Sequence, residues 1–439
     1  MASLINNSNS SSALISTILA SEGSLRNDFI YEETAKVVPP HSFTVQTIVA
    51  TSGTVGANQS VNFDLAKQGL LTRLLANITF DHDSTDFTGR TPTNFLHMIE
   101  SVELLTSGRR ICIITANDIL AIMSDMPYHV RRAYQEAYKM GETGTGTGFV
   151  SSGGATGVMG ERRVVVPLDL FFTEDVKLAI NSNFEEPHRV VIKFSDCKQY
   201  FKTNTLTAMP PTSCELLAEY REPPNKLFDE IVEENYDSGL LSKLITSYTS
   251  NPVKTITLDD TNASSSGFTA RDTTTIDLKE TACVEAIYVM AYCPASSFTT
   301  QAEGAVGANV CLELDQVRLS ANGMDIMNVP AEMLQYWGRR ENSKHRYSSA
   351  GISEDNTVGL EHVYKIDFGY TSEGVSNLLS MRELNNPQLH LTFAKRGKAS
   401  PFTDDSRNGK SCNIHVQYAT KQLLTIQASN GRANLSLNN

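Results

Sequence analysis

The sequence predicts an all-β protein in which one sandwich or jelly roll is used twice, and three observations carry that expectation. Short runs alternate apolar and polar residues, and clusters of Gly, Ser, Thr and Asn separate them. The stretch Ser101 to Ile111 returns as Gln316 to Ile326, with Val102, Leu104, Gly108 and Ile111 matched by Val317, Leu319, Gly323 and Ile326, each 215 positions on. Further blocks then repeat in the same order. Asp169 to Thr173 answers to Asp367 to Thr371, Pro187 to Phe194 to Pro387 to Phe393, and Ser213 to Tyr220 to Ser411 to Tyr418. Several matches in register, with loop-length drift between them, describe a duplicated domain.

The 439 residues suit two domains of about 200 residues each. With 40% hydrophobic and 20% charged residues, the chain has enough apolar surface for real cores. A net charge of −12 argues against coating a genome, because phosphate binding needs surplus Lys and Arg. The seven Cys show no C-x-x-C spacing and mostly fall in strand-like runs, so buried thiols from a reducing compartment are expected. No apolar run approaches the roughly 18 residues of a membrane span, and the N-terminus lacks a basic region with a cleavage site. The expectation is a cytosolic product.

In chain order, residues 1–41 form a Ser/Asn-rich N-terminal arm, and its apolar insert Ala13 to Ala20 leaves two readings open: a disordered tail, or an arm that orders against a neighbour. The first sandwich is placed at 42–222. Its strands begin at Phe43, Val61 and Leu71 and resume at Val164, Arg189 and Cys214. Between them lies a helical interruption. Thr115 and Asp118 form a capping-box pattern, Pro127 breaks the run, and Gly141 ends it, which predicts helices over 116–125 and 128–140. The Gly-rich stretch 141–160 reads as a surface loop.

A linker is expected over 223–250, with Pro223 and Pro224 stopping the preceding strand. The second sandwich is placed at 251–439. Its strands include Thr273 to Leu278, Val284 to Tyr292, and Leu423 to Gln427 as the last; a helix carrying Trp337 follows its Gly turn.

Chemistry-bearing motifs are scarce. There is no H-E-x-x-H and no G-x-S-x-G, and the Gly-rich loop lacks the Gly-Lys-Ser/Thr ending that holds a phosphate. Asp81, His82, Asp83 and Asp86 offer ligand atoms directly after a strand, where a solvated turn is the ordinary expectation. His188 and His390 sit at corresponding strands and read as a structural pair. The basic run Arg339 to Arg346 reads as a solvated loop or as a contact for an acidic neighbour. No catalytic, cofactor-binding or metal-ligating residue is assigned, and no cofactor is expected.

The order of these blocks resembles the double jelly-roll major capsid proteins of icosahedral DNA viruses, especially large DNA viruses of algae and protists. The likeness is carried by the Val102 to Ile111 turn, Pro167 to Phe172, Val191 to Phe194 and Glu215 to Tyr220. In the second half it is carried by Val317 to Asp325, Tyr364 to Tyr370, Asn385 to Phe393 and Gln417 to Ile426. It spans residue 40 to the end. The sequence departs in reading Val166-Pro167-Leu168 where Leu-Pro or Ile-Pro is usual.

The resemblance implies two tandem eight-stranded jelly rolls with short helices inserted in loops, and a structural, non-enzymatic role. It further implies homotrimers that act as pseudo-hexameric capsomers tiling an icosahedral shell. Partners would be neighbouring trimers, minor capsid and penton proteins, and an internal membrane under the N-terminal arm, without direct genome binding. Two rivals remain from other classes. A tandem jelly-roll glycan-binding protein would need aromatic residues on a concave sheet, and this chain has 8% aromatics and one Trp. A trimeric viral spike would carry repetitive shaft sequence, and none is visible.

Overall fold

The computed structural model describes residues 42–66, 70–80, 95–106, 108–126, 130, 133–134, 137–138, 163–168, 170, 180–181, 188–195, 211–222, 240–257, 273–294, 309–311, 314–331, 333–334, 363–368, 378–393, 411–427 and 433–436. The arm at 1–41, the Asp81–Asp86 turn, the Gly-rich stretch, Trp337 and the basic run all lie outside them.

The first half contains β1 (Ser42–Val49), β2 (Ser52–Gly53), β3 (Ser60–Asp64), β4 (Leu70–Phe80), β5 (Ile99–Thr106) and β6 (Arg109–Thr115). Helix α1 (Ala116–Asp125) follows, then β7 (Arg163–Pro167), β8 (Ile180–Asn181), β9 (His188–Phe194) and β10 (Pro211–Glu222). One sheet has the order β1-β10-β4-β7, with β8 beside β4; the other runs β2-β3-β9-β5-β6. The pairing is nested: β1 joins β10, β3 joins β9, β4 joins β7 and β5 joins β6, all antiparallel. A ribbon folded in half and rolled into two facing sheets gives this pattern, which defines a jelly roll.

The second half contains β11 (Leu240–Ser250), β12 (Lys254–Thr257), β13 (Thr273–Asp277), β14 (Cys283–Pro294), β15 (Asn309–Cys311), β16 (Leu314–Ala321) and β17 (Met324–Pro330). It ends with β18 (Tyr364–Asp367), β19 (Leu379–Ser380), β20 (Gln388–Phe393), β21 (Ser411–Gln427) and β22 (Ala433–Ser436). Nesting recurs as β11 and β12 with β21, β13 with β20, β14 with β18, and β16 with β17. The protein is two tandem jelly rolls.

The duplication holds residue by residue. Leu75 faces Leu217 across β4 and β10, and Met290, 215 positions beyond Leu75, faces His415, 198 beyond Leu217. The hairpins match in detail: a register irregularity falls between Leu104 and Leu105 in one and between Leu319 and Ser320 in the other. Gly108 and Gly323 take φ of 75° and 74°, the left-handed conformation that favours Gly at a tight turn.

Two sequence expectations change. Leu240–Ser250, expected as the end of the linker, is β11 and pairs with β21 along its whole length. Its Leu-Leu-Ser-Lys-Leu-Ile opening lacks clean alternation, which hid it. Leu423 to Gln427 is the tail of the 17-residue β21 rather than the last strand, and β22 pairs with that tail.

Each jelly roll encloses a core. In the first it includes Val61, Phe63, Leu74, Ile78, Val102, Leu104, Ile192, Phe194, Leu216 and Tyr220. In the second it includes Val284, Ile287, Val289, Val317, Leu319, Leu391, Ile414 and Tyr418. The first core does not stop at its own sheets. It continues through Ile245, Ala286, Tyr288, Met290, Val363, Ala419 and Leu424, all of the second half.

Candidate functional site

That apolar continuation marks the seam where the outer face of the β11-β21-β14 sheet meets the first jelly roll. Strand β14 shows why it can sit there. Ala286, Ile287, Tyr288, Val289, Met290 and Ala291 are all buried, so both of its faces are covered. An unbroken apolar run is what such a strand requires.

The covering element is α1, with β6 leading into it. Thr115 caps the helix: its hydroxyl accepts from the Asp118 backbone N–H, while Asp118 Oδ2 accepts from the Thr115 backbone N–H at 2.8 Å and from the Thr115 hydroxyl at 2.7 Å. Ala116, Ile119, Leu120 and Met123 bury one side of the helix. Strand β6 lies against β11 and β22.

Polar groups set the register of the seam. Asn117 donates to His415 Nδ1 at 3.0 Å, and the His415 ring stacks on Tyr292 with centroids 4.6 Å apart. The Gln417 amide, oriented to donate, reaches Asp118 Oδ1 at 3.1 Å and the Thr249 carbonyl at 3.2 Å. At the far end of α1, Lys365 Nζ lies 3.1 Å from Asp125 Oδ2 and 2.9 Å from Asp367 Oδ2, and the Tyr288 hydroxyl donates to Asp125.

Burial pushes the Asp118 carboxyl up to about 6 against its hydrogen bonds from Thr115. Burial also raises Asp125, opposed by the Lys365 charge. Burial works against the Lys365 ammonium, yet the carboxylates of Asp125 and Asp367 outweigh it and hold it charged. The seam is therefore a fixed joint built from one ion cluster, one buried carboxyl and an apolar floor.

The two histidines singled out in sequence hydrogen-bond to hydroxyls of neighbouring strands. His188 Nδ1 is 2.8 Å from the Thr106 hydroxyl, and His390 lies between Thr275 and Ser320, each 2.9 Å away. Cys112, Cys214 and Cys412 carry buried thiols. Among the described residues no three His, Cys, Asp or Glu side chains gather as a metal site, and no helix is long and apolar enough to cross a membrane. The seam residues Asp125, Tyr288, Lys365, His415 and Gln417 were not singled out from the sequence. The available signal was β14 itself, whose residues Val284 to Tyr292 lose the alternation that β4 keeps at Arg73, Leu75 and Asn77.

Two jelly rolls of one topology, fixed edge to face by a buried joint, define a class of architecture rather than a reaction centre. Solved structures share it across nearly the whole chain. The PBCV-1 virus capsid protein covers 94% of this chain and 100% of its own at 15% identity and a TM-score of 0.62. The Faustovirus major capsid protein covers 93% and 97% at 11% identity and a TM-score of 0.57. The mavirus major capsid protein covers 93% and 93% at 11% identity and a TM-score of 0.56. These are double jelly-roll major capsid proteins of large DNA viruses and a virophage. At such identities the likeness is one of fold. No protein-family model matches the sequence, and no curated protein matches it.

Proposed function

We propose that the chain is the major capsid protein of an icosahedral DNA virus, a structural protein of the virion shell. The observation that carries this reading is the repeated jelly-roll pairing across a buried seam, since a chain that offers two similar sandwiches can place six around a ring with three copies. The solved structures of the same fold are capsid proteins, which supports it further.

In this reading three chains form a pseudo-hexameric homotrimer, and trimers tile the shell beside penton and minor capsid proteins. The domains are an arm at 1–41, a first jelly roll at 42–222, a linker shortened to 223–239 by β11, and a second jelly roll from residue 240. The arm points inward, toward minor capsid proteins or an internal membrane. Synthesis takes place in the host cytoplasm, and the role is not enzymatic. The net charge of −12 suits a shell held off a polyanionic genome.

Sedimentation velocity with negative-stain microscopy of the purified full chain tests this. A species of three chain masses with a hexagonal outline is expected. A concentration-independent monomer, or an elongated trimer with a shaft, overturns it.

A further inference from the structure

At one end of the seam a lysine of the second half meets an aspartate of the first, and the groups around them are those that amide formation requires. Asp125 is the last residue of α1. The helix fixes it there by burying Ala116, Ile119, Leu120 and Met123, and the Met126 backbone N–H closes the end on the Met123 carbonyl. Lys365 and Asp367 stand two apart on β18, so their side chains leave the same face of the sheet. The pairing of β14 with β18 sets Tyr288 opposite Lys365 and Ala286 opposite Asp367.

The distances put an amine, an acyl carbon's carboxyl and a proton acceptor within reach of one another. Lys365 Nζ lies 3.1 Å from Asp125 Oδ2 and 2.9 Å from Asp367 Oδ2. The Tyr288 hydroxyl donates to Asp125 Oδ2, and the Tyr288 ring centre is 5.9 Å from Lys365 Nζ. Each group has a part in an acyl transfer. The amine is the nucleophile, the second carboxylate takes its proton, and the phenol stabilises charge that develops on the acyl oxygen.

Proximity alone does not single out this pair. Lys193 Nζ is 2.7 Å from Glu100, but those side chains are 46% and 47% exposed and water keeps them as ions. At the seam the exposures fall to 17% for Lys365 and 30% for Asp125. Burial favours the protonated Asp125 carboxyl, the form that can lose a hydroxyl. Burial also disfavours the Lys365 ammonium, although the two carboxylates keep it charged at rest, so attack waits on passing a proton to Asp367. Condensation replaces two half-desolvated charges with one neutral amide. Docking of α1 on the sheet holds the partners together at an effective concentration of about 10⁵ M or more.

We propose that Lys365 and Asp125 condense after folding into an isopeptide bond that ties the two jelly rolls to each other. Asp367 accepts a proton from the Lys365 ammonium. The free amine adds to Asp125 Cγ, and the Tyr288 hydroxyl holds the oxyanion that forms. The Cγ–O bond then breaks, and that oxygen leaves as water with the two protons that Lys365 gives up. Asp367 ends ionised, as it began, and no oxidant or co-reactant is consumed. The bond needs one folded chain and no neighbour, so it goes beyond the shell-protein reading and does not depend on it.

Mass spectrometry of the full chain tests this. The purified protein is shown to be folded by circular dichroism, stored for increasing times, and digested with trypsin. A bonded Lys365 escapes cleavage, so residues 111–131 are expected joined to residues 347–382 in one branched product, lighter by about 18 Da than its two arms together. Lys365→Arg keeps the cation and should give no branched product. Asp367→Asn should slow its appearance at least about tenfold.

A folded wild type that yields only separate peptides 111–131 and 347–365 at every time overturns the bond, and so does a loss of water confined to one peptide. An unchanged rate in Asp367→Asn overturns the proton transfer to Asp367. All of these are read within a single chain and leave the capsid reading standing.

Discussion

Replacing Asp118 by Asn should make the protein more stable at neutral pH, even though it removes half of a helix capping box. Asp118 is 3% exposed, and among the described residues no cation pairs with it. Burial lifts its carboxyl from 3.8 to about 6. Because the folded state holds this proton more tightly than the unfolded chain, the side chain's ionisation works against folding. Stability is lost as pH rises from about 4 to about 6, and the full penalty, about 2 pH units or about 3 kcal/mol, applies above that range.

Asparagine keeps an oxygen for the Thr115 backbone N–H, loses the charge, and can donate its amide to the Gln417 side chain. Against the gain stands a weaker cap, at a cost of about 1 kcal/mol. The net expectation at pH 7.5 is a variant more stable by about 1–2 kcal/mol. Between pH 4.5 and 7.5 the wild type should lose about 2 kcal/mol relative to the variant. Urea unfolding of both proteins at the two pH values measures this, with the wild-type-minus-variant difference cancelling all other carboxylates. A difference that does not change with pH, or an Asn variant that is weaker at pH 7.5, refutes the account of the buried carboxyl.

The other predictions concern single positions. Gly108→Ala and Gly323→Ala should each cost about 1 kcal/mol and match each other, because both have φ near +75° and neither added Cβ meets an atom within 4 Å. Gly53→Ala should cost more than either in the same thermal melts, since its Cβ would press on the Ser60 carbonyl. Lys365→Met should destabilise by about 2 kcal/mol by leaving Asp125 and Asp367 facing each other, and adding Asp125→Asn should recover part of the loss in a double-mutant cycle. The Cys214 thiol, pushed up to about 12 by burial and then by Glu215, should resist Ellman's reagent at pH 8 until the chain is unfolded.

Much of the fold was legible because its signals are local. The Gly turns at 108 and 323, the capping box at Thr115, and the alternation of β9 each follow from neighbouring residues. The missed strands had no such signal. Strand β11 begins with Leu-Leu and carries Lys243 and Tyr248, and it is held in place by eleven pairings to β21, which lies far along the sequence. The seam was hidden for the same reason. Lys365 alternates with Tyr364 and Ile366 as any outward residue of an edge strand does, and only the packed structure sets it between Asp125 and Asp367.

What the sequence did contain was a contrast between copies. Strands β4 and β14 occupy one topological position, yet the outward residues Arg73, Leu75 and Asn77 become Tyr288, Met290 and Tyr292. Burial explains the direction of that change. The β14 face is covered as soon as the chain folds, so Tyr288 and Met290 there are held away from water and Tyr292 is half-buried. The β4 face is open in the free chain, and an equally apolar surface would draw chains together indiscriminately. Arg73, Glu219 and Glu215 keep that face polar, with Val45, Val49 and Val165 exposed beside them and Asn77 buried against Glu215. Two copies that began alike are driven apart in this way when one face is covered on folding and the other is not.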